Sequence, residues 1–313
     1  MNPILKKAGV IFGSLSIVYL VLVLNTIQVL SVLVYPISAR LCRAINRACA
    51  LNIWRVWVIL GERFLGIQIR MVGDQPPLRQ NALVIANHRA MTDILCLLSL
   101  AWRCGRLGDL KWFVKDELKW VPGVGWGMKF LDCLFVRRNW QQDRAGMDTL
   151  FGRFKSNNIP MWLVSFLEGT RFTPKKQAAA QAFGQKRGLY MPDHTLIPRV
   201  KGFVTSVLGL RAHLDAVYVV TLAYPKDSRP SLYRWFHLDI PAVELDVRVY
   251  PIESLPQEEE ALGQWAYDRY QDIDKRLKQY YRDGELAGDG FQKPISVRNF
   301  LRVESGRKTF DDG

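Results

Sequence analysis

The sequence has no Asn-x-Ser or Asn-x-Thr triplet, no Cys-x2-Cys pair, and only four histidines in 313 residues. The missing glycosylation signal agrees with a folded part that faces the cytosol. Its five cysteines, Cys42, Cys49, Cys96, Cys104 and Cys133, are odd in number and scattered, so neither a disulfide framework nor a zinc site is indicated. Acidic residues are scarce relative to basic ones: 29 Asp and Glu against 43 Lys and Arg give a formal net charge of +14. An excess of that size favours a polyanionic partner, either nucleic acid or an anionic membrane surface. The hydrophobic and charged fractions, 49% and 23%, are those of a folded protein, which sets general disorder aside.

Charge is absent altogether between Ala8 and Ala39. Within that span Val10 to Val34 is long enough to cross a bilayer. It runs on into Tyr35 and Pro36 without the small-residue cleavage site of a secretory signal, and so reads as an uncleaved anchor. Asn25 and Gln28 leave a second form open, two shorter helices that dip into one leaflet. Lys6 and Lys7 precede the segment, while Arg40, Arg43, Arg47 and Arg55 follow it; for a single span the positive-inside rule puts the rest of the chain in the cytoplasm. The stretch Ile53 to Leu60, with Trp54 and Trp57, is too short to span and reads equally as an interfacial helix or as a buried helix of the folded domain. An anchor of this kind selects a lipid bilayer over nucleic acid as the partner.

The remainder alternates short apolar runs with helical patterns, the signature of an α/β fold: a mixed sheet flanked by helices. Strands are expected at Ile67 to Val72, Leu83 to Ala86, Trp112 to Val114, Leu134 to Val136, Trp162 to Phe166, Thr195 to Pro198, Val217 to Ala223 and Val243 to Val249. Leu262, Trp265, Ala266, Tyr270, Ile273 and Leu277 recur at helical spacing and predict one long amphipathic helix. The organisation expected is an N-terminal membrane anchor with an interfacial helix over 1–62, a catalytic domain over 63–255, the amphipathic helix over 256–283 and a polar tail over 284–313.

Chemistry concentrates where strands end. After the apolar run Ala82-Leu83-Val84-Ile85-Ala86 come Asn87-His88-Arg89-Ala90-Met91-Thr92-Asp93, then an apolar run that opens a helix. His88 therefore sits on the turn at a strand's carboxyl end, where α/β architectures bind ligands. A histidine with an acid at that spacing is either a general base with its orienting carboxylate or a turn histidine beside a helix-capping acid. On one continuous helix, residues five apart diverge by about 140°, so pairing requires the turn. Basic or polar groups close three other runs: Leu134-Phe135-Val136-Arg137-Arg138, Val164-Ser165-Phe166-Leu167-Glu168-Gly169-Thr170-Arg171, and Leu196-Ile197-Pro198-Arg199-Val200-Lys201. Their recurrence suggests a phosphate pocket facing His88, with glycine permitting close backbone approach and arginine supplying a planar fork.

Four blocks in order, Asn87-His88-x4-Asp93, Phe135-x2-Arg138, Glu168-Gly169-Thr170-Arg171 and Ile197-Pro198-Arg199-x-Lys201-Gly202, resemble those of the glycerophospholipid acyltransferases. The likeness is to the 1-acylglycerol-3-phosphate (lysophosphatidic acid) acyltransferases of the eukaryotic membrane branch. It extends to Gly125-Trp126-Gly127-Met128-Lys129-Phe130 and to Trp265, Tyr267-Asp268-Arg269-Tyr270 and Lys275. Two positions depart from the pattern: Asp132 stands where many relatives have glycine, and Leu167 where the third block often has proline.

The resemblance implies acyl transfer from acyl-CoA to the sn-2 hydroxyl of lysophosphatidic acid, with no cofactor or metal, at an endoplasmic-reticulum membrane, or at the inner membrane in a prokaryote. His88 and Asp93 would be catalytic; Arg138, Arg171 and Lys201 would bind the acceptor phosphate. Asn87, Glu168, Gly169, Thr170 and Pro198 would support them, Glu168 by orienting an arginine. Oxyanion donors are expected among backbone N–H groups near Gly169 or Pro198. Two alternatives stand: another lysophospholipid acceptor, such as lysophosphatidylinositol or a lysocardiolipin, and a membrane-anchored lipid-binding scaffold.

Overall fold

The computed structural model describes residues 19–121, 124–137, 140–226 and 228–291. Its centre is one seven-stranded sheet in the order β1-β7-β6-β2-β5-β3-β4. The strands are β1 (Gln68–Gly73), β2 (Ala82–Ala86), β3 (Leu110–Lys115), β4 (Leu134–Val136), β5 (Trp162–Ser165), β6 (Ala216–Ala223) and β7 (Ala242–Pro251). Five of them, β6, β2, β5, β3 and β4, run parallel; β7 pairs antiparallel with β6, and β1 pairs parallel with β7. The sheet is thus mixed, as the alternating pattern suggested.

The helices are α1 (19–30), α2 (Ala39–Ile59), α3 (Thr92–Arg103), α4 (Val124–Phe130), α5 (Trp140–Ser156), α6 (Pro174–Arg187), α7 (Val200–Leu210), α8 (Leu232–Phe236) and α9 (Glu259–Asp283). Every residue of β2 and β6 is buried, because helices cover both faces. Strand periodicity divides them: Ala82, Val84 and Ala86 join a core with residues of α2 and α3, while Leu83 and Ile85 join a second core with α5, α7 and α9. In α9 the buried positions Leu262, Ala266, Tyr270, Ile273, Leu277 and Tyr280 lie three or four apart and form a single stripe.

Among the described residues no helix is long and apolar enough to cross a membrane. The first part of the Val10–Val34 stretch lies outside them. The rest is α1 followed by a 3-10 turn at Ser31–Val34, so the described part of the anchor is a helix that breaks rather than one that continues. Leu30, Leu33, Ile37 and Leu41 are exposed around that break. Trp54 and Trp57 are half-buried against the first core, and Trp57 lies 5.9 Å from the Phe236 ring, so the Ile53–Leu60 stretch belongs to a helix packed on the sheet.

One expected strand is absent. Thr195–Pro198 runs as irregular chain, because its backbone donors go to carboxylates instead of a neighbouring strand. His194 and Thr195 donate to Asp274 at 2.6 and 3.1 Å, and Leu196 donates to Glu168 at 3.2 Å. Positions on both sides of β5 are already occupied, by β2 and β3.

Candidate active site

The site forms where β5, β2 and β6, three adjacent parallel strands, end side by side. Their carboxyl ends deliver Phe166–Phe172, Asn87–Asp93 and Tyr224 to one place. Asn87 continues the sheet with its side chain: Oδ1 accepts the Leu222 N–H at 2.8 Å and Nδ2 donates to the Leu222 carbonyl at 3.0 Å. An amide that copies a peptide group holds the first turn residue in the plane of the strands without committing the backbone to further pairing.

His88 follows. Its Nδ1 lies 2.8 Å from Asp93 Oδ2, with 14% of the histidine side chain and none of the aspartate exposed. The ring stacks on Phe166 at a centroid distance of 4.0 Å and an interplanar angle of 12°. Both backbone groups of His88 are also held. Its N–H donates to Glu168 Oε1 at 2.9 Å, and its carbonyl accepts the Phe172 N–H at 2.7 Å. The loop from Glu168 to Phe172 therefore grips the histidine from two sides and leaves Nε2 as the ring nitrogen not engaged by Asp93.

Asp93 stands in the first turn of α3 and accepts three bonds besides that from His88. Arg89 and Ala90 donate their N–H groups to Oδ2 at 2.6 and 2.9 Å, and Tyr224 Oη donates to Oδ1 at 2.6 Å. The aspartate thus fixes the turn and faces the imidazole at once; the two readings of the spacing describe one residue. The donors placed around this carboxylate stand in for the water that burial removes from it. Burial and the adjacent Asp93 push the Tyr224 phenol well above its ordinary range, so it remains a donor.

The acyltransferase family profile matches residues 68–225, and the acyltransferase C-terminus profile matches 241–303. The 1-acyl-sn-glycerol-3-phosphate acyltransferase 2 of Brassica napus is 34% identical over 295 residues, which span 92% of this chain and 74% of that protein. The gamma form of Homo sapiens is 32% identical over 287 residues, 90% of this chain and 76% of its own. The chain belongs to the acyltransferase family. A solved lysophosphatidic acid acyltransferase from Thermotoga maritima overlays 85% of the chain with a TM-score of 0.47 and 17% identity, a likeness too slight to argue from.

Within this acyltransferase Glu168 does not pair with an arginine among the described residues. Its second oxygen accepts the Leu196 N–H at 3.2 Å, so both oxygens serve backbone donors from separate loops. The side chain is buried, and burial pushes its carboxyl well above the usual range against the pull of those two donors. The N–H groups expected to hold an oxyanion are also taken. Gly169 donates to the Phe166 carbonyl at 2.9 Å, Pro198 has none to give, and Arg199 donates to the Leu167 carbonyl at 2.7 Å. Thr170 and Arg171 form the turn between Glu168 and Phe172, and their N–H groups make no bond to the described residues.

The cationic residues are arranged more loosely. Arg171 and Lys201 are exposed, Lys201 in the first turn of α7. Arg138 lies outside the described residues, and β4, the strand before it, is three places from β2. Other cations come closer than sequence reasoning foresaw. Arg89 lies with its guanidinium 4.6 Å from the centre of the Phe172 ring, and Lys176 donates to Thr170 Oγ1 at 2.6 Å and to the Arg171 carbonyl at 3.1 Å. Arg199 lies against Gly169, where a Cβ would come within 3.2 Å of its Cδ; with φ at +65° as well, position 169 favours glycine. Asp132 also has positive φ, +58°, which explains glycine as the alternative at that position; its carboxylate pairs with Arg153. Tyr224 was invisible in the sequence because nothing in it reveals that β6 lies beside β2.

Proposed function

We propose that this enzyme transfers an acyl chain from acyl-CoA to the free hydroxyl of lysophosphatidic acid at a membrane surface, giving phosphatidic acid and CoA. The observation that carries the reading is the His88 imidazole, held through Nδ1 by a fully buried, four-times-bonded Asp93 at the carboxyl edge of the sheet. Such an imidazole is set to receive a proton at Nε2. As the acceptor oxygen attacks the thioester carbonyl, His88 takes its proton and Asp93 stabilises the resulting imidazolium. The C–S bond then breaks, and the same histidine returns the proton to the leaving thiolate. No cofactor enters this sequence, and no acyl-enzyme is required.

Relatives named as 1-acyl-sn-glycerol-3-phosphate acyltransferases support a phosphorylated acceptor. Arg171 is our first choice among the described residues to bind its phosphate, with Arg89 and Lys201 as further cations and Arg138 as the family's remaining candidate. The turn N–H groups of Thr170 and Arg171 are our candidates for the oxyanion. Attachment to the bilayer is assigned to the N-terminal region, where exposed Leu30, Leu33, Ile37 and Leu41 surround the break between α1 and α2. For a single crossing, the charge bias of its flanks puts the site on the cytosolic side, of the endoplasmic reticulum or of the inner membrane in a prokaryote.

The test is acyl transfer by the full chain in vesicles. His88→Ala is expected to lower turnover at least ~10²-fold with the fold intact by circular dichroism. Near-normal turnover would remove the mechanism. A panel of lysophospholipids with one acyl-CoA is expected to favour lysophosphatidic acid, and preference for lysophosphatidylinositol or a lysocardiolipin would reassign the acceptor.

A further inference from the structure

The parallel ladder between β2 and β5 ends at the pair Ile85 and Ser165. Beyond it the chains diverge, one toward His88 and the other toward Glu168. At that fork the phenol of Tyr270, from α9 on the other side of the second core, inserts between them. Its Oη accepts the Leu167 N–H at 3.0 Å and donates to the Ala86 carbonyl at 2.8 Å. Ala86 lies two residues before His88, and Leu167 immediately precedes Glu168, whose carboxylate holds the His88 N–H. One buried hydroxyl therefore closes a short circuit of bonds around the base, running through Ala86, His88, Glu168 and Leu167.

Position 167 gives this contact its meaning. A proline there has no N–H to donate, whereas the leucine of this chain does. An N–H at this depth with no acceptor would be destabilising, and the phenol of Tyr270 is what meets it. Burial keeps that phenol protonated, well above its ordinary range, so its donation to Ala86 persists at every working pH.

We propose that Tyr270 is a positioning residue for acyl transfer: matched to Leu167, it sets the spacing of the two strand ends and thereby the placement of His88 against the reacting hydroxyl. The inference rests on His88 as the base. A small error in that placement lowers the rate of the chemical step more than it weakens substrate binding.

The experiment compares Tyr270→Phe with Tyr280→Phe in the full chain, Tyr280 being a second buried tyrosine on α9 that makes no bond to the site. Tyr270→Phe is expected to reduce kcat about tenfold or more, with KM for both substrates within about twofold. Tyr280→Phe is expected to leave both unchanged. In a Leu167→Pro background, where the donor is gone, Tyr270→Phe should cost a clearly smaller factor than in the native chain. A kcat within twofold of native for Tyr270→Phe, an equal loss in Tyr280→Phe, or the same loss factor in both backgrounds would overturn the proposal. If Leu167→Pro does not fold, the two tyrosine variants decide alone. Normal activity in His88→Ala would dismiss the base and this inference together; an inactive His88→Ala beside a fully active Tyr270→Phe dismisses the inference only.

Discussion

His88 and Asp93 expose 14% and none of their side chains, and Asp93 is held by bonds from His88, Arg89, Ala90 and Tyr224; Arg171, Arg199 and Lys201, on the chain that follows β5, lie exposed. The floor of the site and its rim thus differ in how far they are fixed. On the proposed mechanism the groups that move a proton are held before substrate arrives, so no reorganisation is left for the chemical step. On the proposed reading, the cations that meet phosphate stay in water until the ligand displaces it. If this division is real, mutations in the floor reduce kcat and mutations in the rim raise KM.

The largest effect is expected at Asp93. Asp93→Asn keeps the shape but loses the charge and half of the acceptor capacity, and can hold the wrong tautomer of His88. We expect kcat to fall about 10⁴-fold with KM little changed, as when the orienting acid of a serine-protease triad becomes an amide. Steady-state kinetics with saturating acyl-CoA measures it; a loss below tenfold would mean that the floor is not where the proton moves.

At the rim the pattern should invert. Arg171→Ala removes an exposed guanidinium, so the melting temperature should not move. KM for lysophosphatidic acid should rise by about 10- to 100-fold, the cost of one charge-assisted contact. Transfer to a phosphate-free monoacylglycerol serves as the control, since it should be indifferent to the change. Equal effects on both acceptors would take the phosphate away from Arg171.

The same division explains what the sequence could and could not convey. His88 and Asp93 were legible because their pairing is local: a strand, a turn and the first turn of a helix bring them within reach of each other, 2.8 Å apart in the folded chain. Glu168 was legible as a site residue but not in its role. Its partners are the backbones of His88 and Leu196, 80 and 28 positions away, and backbone groups leave no mark on residue identity. The Thr195–Pro198 run failed as a strand for a related reason, its donors being claimed by Asp274 and Glu168 before a sheet could use them. Tyr224 and Tyr270 depend on strand order and helix packing, which an apolar pattern does not encode.

Glu168→Gln sharpens the comparison through stability and its pH dependence. Burial raises the native carboxyl pKa of Glu168 above its unfolded value, so the native state holds the proton more tightly. That contribution is complete below the ordinary glutamate range and is lost as pH rises through the raised native value. Glutamine cannot titrate, and its NH2 must face one of the two backbone donors. The variant should therefore be less stable by roughly 1–3 kcal/mol in acid, and the deficit should shrink as pH rises. Urea unfolding across pH measures this. A deficit that grows with pH would mean that the floor prefers the ionised carboxylate.

The smallest effect should come from thiol reagents, and it bears on whether the floor contains a nucleophile. Cys96 lies beneath the dyad, its Sγ 3.9 Å from Tyr224 Oη, and Cys133 and Cys104 are buried elsewhere in the first core. Burial pushes the Cys133 thiol up to about 11 and those of Cys96 and Cys104 higher still. A nucleophilic cysteine must be a thiolate with access to its electrophile, and these three lack both. N-ethylmaleimide at neutral pH should accordingly change the turnover of the native enzyme by less than about twofold. Rapid inactivation that acyl-CoA prevents would place a thiol on the reaction path, replace direct transfer by an acyl-enzyme, and move the chemistry from His88 to a residue that the folded chain keeps protonated.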